Sequence, residues 1–188
     1  MNFLSVELST NCLLLRPISF KYKADIFTEF TEKITIYMHP CPAKDISETE
    51  AFINDSIKNM KSGNNLIFVI LKKTTEEFLG CAGIHGIEQK EPELGIWLKK
   101  AAHGNKYGLE AIDAIKQWAD ANLDYKYLRY PVDRVNIASR KIPEALGGKI
   151  VKEYTKKNMS GNTLHIVEYR IYKSRITINR TTFVYEIS

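Results

Sequence analysis

The spacing of hydrophobic and polar positions changes several times along the chain. Cys12–Arg16 (CLLLR) is a short apolar run stopped by Pro17 and predicts a buried strand. Over Phe20–Thr31 the residues Tyr22, Ile26, Phe27 and Phe30 recur at helical spacing, whereas Ile34–Lys44, with Pro40 and Pro42, reads as a loop. Ser47 followed by Glu50 matches a capping box and opens a helix to about Met60, ended by Gly63 and Asn64–Asn65. Leu66–Lys72 (LIFVILK), Phe78–Ile87 (FLGCAGIHGI) and Glu91–Lys99 (EPELGIWLK) then read as three strands, the first two joined by the turn Thr74–Glu77. Short turns between consecutive strands predict an antiparallel meander. Asn105–Leu123 carries the clearest helical stripe, with Ala111, Ile112, Ala114, Ile115, Trp118 and Ala119 opposite Glu110, Asp113, Lys116, Gln117 and Asp120. Tyr127–Asp133 reads as a strand, Ile137–Leu146 as a helix ended by Gly147–Gly148, and Lys149–Thr155 and Leu164–Tyr172 as two further strands. Ile176–Ile187 alternates weakly and reads as an extra strand or as a loose tail.

This order does not repeat strand and helix regularly, which disfavours a doubly wound dinucleotide fold. It fits an α/β (α+β) architecture: a mixed, mostly antiparallel sheet with helices on both faces. At 188 residues the chain is expected to hold one domain, residues 1–173, with 174–188 as a C-terminal extension. With 44% hydrophobic and 26% charged residues, disordered, collagen-like and coiled-coil classes are excluded. The longest purely apolar run, Leu66–Leu71, is too short to span a bilayer, and no basic start precedes an apolar stretch at the N-terminus. A cytoplasmic protein without a membrane partner is therefore expected. Cys12, Cys41 and Cys81 are too widely spaced for a disulfide framework or a metal site, so no metal is expected. The net charge of +5 favours an anionic ligand, but no basic stripe points to nucleic acid.

The chemistry concentrates in Glu91–Gly108 (EPELGIWLKKAAHGNKYG). A strand ends near Lys99, a bend with Gly104, Asn105 and Gly108 follows, and the strongest helix begins. Backbone amides at such a bend, with the positive end of the helix dipole, suit a phosphate or pyrophosphate. The run His103-Gly104-Asn105-Lys106-Tyr107-Gly108, followed by Leu109-Glu110-Ala111, resembles the acetyl-CoA-binding motif of the GNAT superfamily of N-acetyltransferases, Gln/Arg-x-x-Gly-x-Gly/Ala. His103 stands where the family has Gln or Arg, and Lys106 replaces the first signature glycine. A side chain at Lys106 requires a negative φ there with its Cβ turned away from the pyrophosphate; alternatively, its ammonium binds a phosphate. Downstream, Val135-Asn136-Ile137-Ala138-Ser139 with Ile142, Glu144, Leu146 and Gly147 is similar to the Asn-x-x-Ser…Ile-x-Glu-x-Leu-Gly pattern of the ribosomal-protein N-terminal acetyltransferases, the RimJ/RimL-like branch.

The resemblance implies acetyl-CoA as co-substrate and direct attack by an amine in a ternary complex. It implies that two strands splay apart, and that the strand segment Ile96, Trp97 and Leu98 receives the pantetheine arm through the backbone of Ile96 and Leu98. It places Glu93 where related enzymes carry a base, and Asn136 and Ser139 near the thiol. Asn136 is equally able to cap its helix. Pro143 occupies the place of a tyrosine acid found in many members, which leaves Ser139 as the substitute. The acceptor is expected to be a protein N-terminus or a small amine, on a monomer or homodimer. The alternative is a CoA-binding sensor or partner module without turnover.

Overall fold

A computed structural model of the protein describes residues 3–173; the extension 174–188, including the extra strand or tail at Ile176–Ile187, lies outside the described residues. Strands β1 (Leu8–Ser9), β2 (Leu13–Pro17), β3 (Asn65–Lys72), β4 (Phe78–His85), β5 (Glu93–Leu98), β6 (Leu128–Asp133), β7 (Lys149–Lys157) and β8 (Thr163–Ile171) form one sheet in the order β1-β2-β3-β4-β5-β6-β8-β7. Every neighbouring pair is antiparallel except β5 and β6, which run parallel. The helices are α1 (Lys23–Glu29), α2 (Glu32–Thr35), α3 (Ile46–Lys61), α4 (Tyr107–Asn122) and α5 (Ile137–Ala145). The predicted class and element order hold.

Burial explains the pattern. β3 is apolar between its polar ends Asn65 and Lys72 because it lies inside the sheet, and Leu66 to Leu71 are all buried. On β5 the alternation matters more. Trp97 joins Phe30 and Phe78 in an aromatic cluster beside α1, whereas Ile96 and Leu98 face Gly108 of α4 on the other side. Among the described residues, no helix is long and apolar enough to cross a membrane.

Several local expectations change. Part of the predicted loop Ile34–Lys44 belongs to α2, which ends at Thr35. α3 is capped by Asp45, whose side chain accepts from the Ser47 amide at 2.8 Å, while Glu48 accepts from the Lys44 amide at 2.9 Å. Ser47 is thus inside the helix, and Glu50 pairs with Lys23 at 2.5 Å instead. Hydrogen bonds from the Ser47 side chain and then its amide hold the Asp45 carboxyl below its usual range. α4 starts at Tyr107, two residues later than expected. Lys116, assigned to the solvent face, is buried and bonds Asp120 at 2.6 Å, and Asp120 also accepts from the Tyr125 hydroxyl. α5 runs unbroken from Ile137 through Pro143 to Ala145, as its spacing predicts.

Candidate active site

The parallel pair β5–β6 has a single register pair, Glu93 with Arg129. The Lys99 amide donates to Leu79 of β4, and the Arg129 amide donates to Pro92. Strand alternation then turns the backbone groups of Leu94, Ile96 and Leu98 toward β6, and those of Gly95 and Trp97 toward β4. Past Glu93 the two strands diverge, so Ile96 and Leu98 face an open gap outside any ladder. Trp97 does not: its backbone is turned to Cys81 of β4 and its ring to Phe30 and Phe78.

The bend after β5 lies at the open end of this gap. A single 3-10 turn, Lys100–Ala102, leads into His103, Gly104 (φ +83°), Asn105 and Lys106 (φ +61°). The Asn105 amide group donates to the carbonyls of Ala102 and His103, and His103 Nε2 donates to the Leu98 carbonyl at 3.0 Å. His103 therefore ties the bend back to the end of β5. Lys106 is the N-cap of α4 and supplies no side-chain cap. The first intrahelical bond, Glu110 N–H to the Lys106 carbonyl, leaves the amides of Tyr107, Gly108 and Leu109 at the open helix end. Uncapped amides and the positive end of the helix dipole make an anion cradle, whereas the Lys99 ammonium is committed to Glu77 at 2.8 Å. Gly108 is buried, and a Cβ there would meet Ile142 Cδ1 at 3.1 Å, so α5 packs against the start of α4.

The expectation of a negative φ at Lys106 is overturned. The residue keeps the left-handed backbone that a glycine would take freely, because the chain must reverse there to enter α4. Lys106→Gly is expected to raise stability by about 0.5–1 kcal/mol, the left-handed penalty less the entropy of glycine, read as a melting-temperature increase of ~1–4 °C. A lower melting temperature would show that the lysine side chain more than offsets its torsion.

On the Trp97 side of the sheet, Arg129 lies between two carboxylates, with Glu93 at 3.1 Å and Glu168 at 3.6 Å, and donates to the Glu91 carbonyl at 3.1 Å. Glu93 is part-exposed, yet the surrounding walls desolvate it enough to raise its pKa above the carboxylate norm, against the opposing pull of Arg129 and Lys156. His85, in register with Glu93, is likewise reached by solvent inside a concave surround, and desolvation lowers its pKa. The Met159 amide donates to the His39 carbonyl at 2.9 Å, tying the β7–β8 turn to the loop after α2. Sequence reasoning missed Arg129 and Glu168, which topology alone brings to Glu93.

On the opposite side, Asn136 caps α5 by accepting from the Ser139 amide at 3.2 Å. Asp133 holds the turn before it, accepting from the amides of Val135 and His165. Tyr169 fastens α5 to β8: its hydroxyl donates to Glu144 at 2.6 Å and accepts from Arg140 at 3.0 Å. Ser139 Oγ lies 2.9 Å from the hydroxyl of Tyr130. Glu93 and Ser139 thus flank the gap from its two faces. Among the described residues no group of three or more His, Cys, Asp or Glu side chains could hold a metal ion.

This arrangement can hold an anionic chain at the bend, thread its arm along β5, and meet a second molecule beside Glu93. Residues 13–149 match the family model described as the acetyltransferase (GNAT) domain. A curated protein from Bacillus licheniformis, the uncharacterized N-acetyltransferase p20, is 24% identical over 156 residues, covering 79% of this chain and 87% of that one. Among solved structures, RimL, the ribosomal L7/L12 alpha-N-protein acetyltransferase in complex with coenzyme A, superposes with a TM-score of 0.79 at 15% identity, over 89% of this chain and 98% of that one. A putative ribosomal-protein-serine acetyltransferase from Vibrio cholerae gives a TM-score of 0.75 at 16% identity, over 90% and 98%.

Proposed function

The chain belongs to the acetyltransferase (GNAT) family, whose domain model spans residues 13–149, and from that premise we propose that it transfers an acetyl group from acetyl-CoA to a primary amine, a protein N-terminus or a small amine. The observation that carries this reading is the β5–β6 gap opening directly onto the uncapped start of α4. The amides of Tyr107, Gly108 and Leu109 hold the pyrophosphate, with His103, Gly104, Asn105 and Lys106 shaping the bend. Ile96 offers its backbone groups and Leu98 its amide to the pantetheine arm, the Leu98 carbonyl being taken by His103. Acetyl-CoA supplies an acyl group already activated as a thioester. Glu93 takes the proton of the attacking amine, and Arg129 fixes its carboxylate. Ser139 serves the leaving sulfur. The amine attacks directly in a ternary complex: Cys81, on the Trp97 side, is buried with its thiol pushed far up by desolvation and is no nucleophile. The RimL likeness supports a protein N-terminus as one acceptor class.

Acetyl-CoA at one hundred times its dissociation constant is expected to add about 2.7 kcal/mol of stability in a thermal shift. A panel of amines and short peptides should then release free thiol. Pro143 in place of the usual tyrosine, with His103 occupying the Leu98 carbonyl, favours a second reading, a CoA-binding module without turnover. Stabilisation by acetyl-CoA with no thiol release from any amine would establish that reading; no stabilisation at all would sink both.

A further inference from the structure

Tyr130 looks like one more core side chain, yet it follows Arg129, the last β6 residue in register with β5. It is therefore the first β6 residue past the point where the gap opens. Its side chain points to the α5 side, opposite to Arg129, and its hydroxyl meets Ser139 Oγ at 2.9 Å. Pro143, the position of the family tyrosine, carries no hydroxyl.

Burial decides which hydroxyl donates. Tyr130 is 3% exposed, and Ser139 is the one hydrogen-bond partner of its phenol among the described residues. A phenol that only accepted would leave its own hydrogen unsatisfied in the core. Tyr130 therefore donates. Ser139 is half-buried, and the bond from Tyr130 is the one its hydroxyl makes among the described residues, so its hydroxyl hydrogen is free for a group in the gap.

We propose that Tyr130 is a positioning residue that turns the Ser139 hydroxyl hydrogen toward the leaving sulfur, in the role that Pro143 cannot fill. The inference rests on the acetyltransferase reading of the site. In the transfer the new C–N bond forms and the C–S bond breaks. The amine proton passes to Glu93, and the sulfur departs as a thiolate that accepts the hydrogen bond of Ser139. The thiolate is reprotonated later from solvent. Tyr130 gives up no proton itself: burial pushes its phenol up to about 12.

Two readouts test this. Bound CoA has a thiol whose ionisation is followed by ultraviolet absorbance without turnover. Tyr130→Phe and Ser139→Ala should each raise its titration midpoint by about 1 pH unit, and the double variant should be no worse than either single one. In turnover, each should lower kcat about tenfold with little change in KM for acetyl-CoA, and an acetyl thioester of a more acidic thiol should restore most of the loss. The inference falls if the wild-type chain binds CoA and Tyr130→Phe leaves the midpoint unmoved, or if the two substitutions add independently. A wild-type chain that binds no CoA overturns the site reading itself, and the inference with it.

Discussion

Glu93→Gln is expected to lower kcat for amine acetylation by about 10²–10⁴-fold, the range typical for loss of a positioned general base. The amide keeps the shape of the side chain and its place in register with Arg129, so acetyl-CoA binding should hold. The pH profile carries the stronger signature. In the proposed role Glu93 works as the carboxylate, and desolvation raises its pKa despite Arg129. The acid limb of kcat/KM in the free enzyme should therefore sit above the usual carboxylate range and disappear in the variant. The stability linkage has the opposite sense. A carboxyl whose folded pKa is raised contributes stability below its unfolded value and loses it as pH rises through the folded value. Near neutral pH the ionised Glu93 is thus a burden on the fold, and Glu93→Gln should melt no lower than the wild type there. Activity within twofold of wild type would transfer the base role elsewhere, with Glu168, across Arg129, as the first replacement to test.

Gly80→Ala is expected to cost about 3 kcal/mol or more, a melting-temperature loss of ~6–12 °C. A Cβ at Gly80 would lie 2.2 Å from the Trp97 carbonyl oxygen and 2.8 Å from Leu98 Cα, both backbone atoms of β5, and φ is +154°. No rotamer relieves such a contact; β4 and β5 must separate. Because Leu98 is the register partner of Gly80, the same displacement moves the edge proposed for the pantetheine arm. Gly104→Ala provides the control, since its Cβ meets nothing within 4 Å and only the torsion at φ +83° is charged. It should cost about 1–2 kcal/mol. Equal losses in the two variants would refute the steric argument.

Much of this fold is readable in the sequence where one physical signal dominates. β3 holds six consecutive buried apolar residues, and such a run admits few other assignments at that length. α4 shows its stripe because one side packs on the sheet. Lys116 was placed with the polar residues by its type, although it lies four residues after Ile112 and so close to the same angle on the helix. Its burial depends on Asp120 and Tyr125, partners that periodicity does not reveal. At α3, Asp45…Glu48 and Ser47…Glu50 both match a capping box, and nothing local to the chain ranks them. The bend at residues 103–108 was legible because small residues interrupt the pattern between a strand and a helix. The left-handed Lys106 was not, because lysine rarely marks that torsion. Arg129 and Glu168 meet Glu93 only through a parallel pairing that brings distant segments side by side.

A sheet joined across its middle by one rung behaves mechanically as two plates on a pivot. Spreading the far ends of β5 and β6 breaks no ladder, so the width of the slot is set by what is wedged beneath it. At that place the flesh is thin: Gly108 lies against Ile142, with no room to spare for a methyl group. These two positions act as a shim. Thickening or thinning it would move α5 against the start of α4, and Ser139, three residues before Ile142 on the same helix, would move with it.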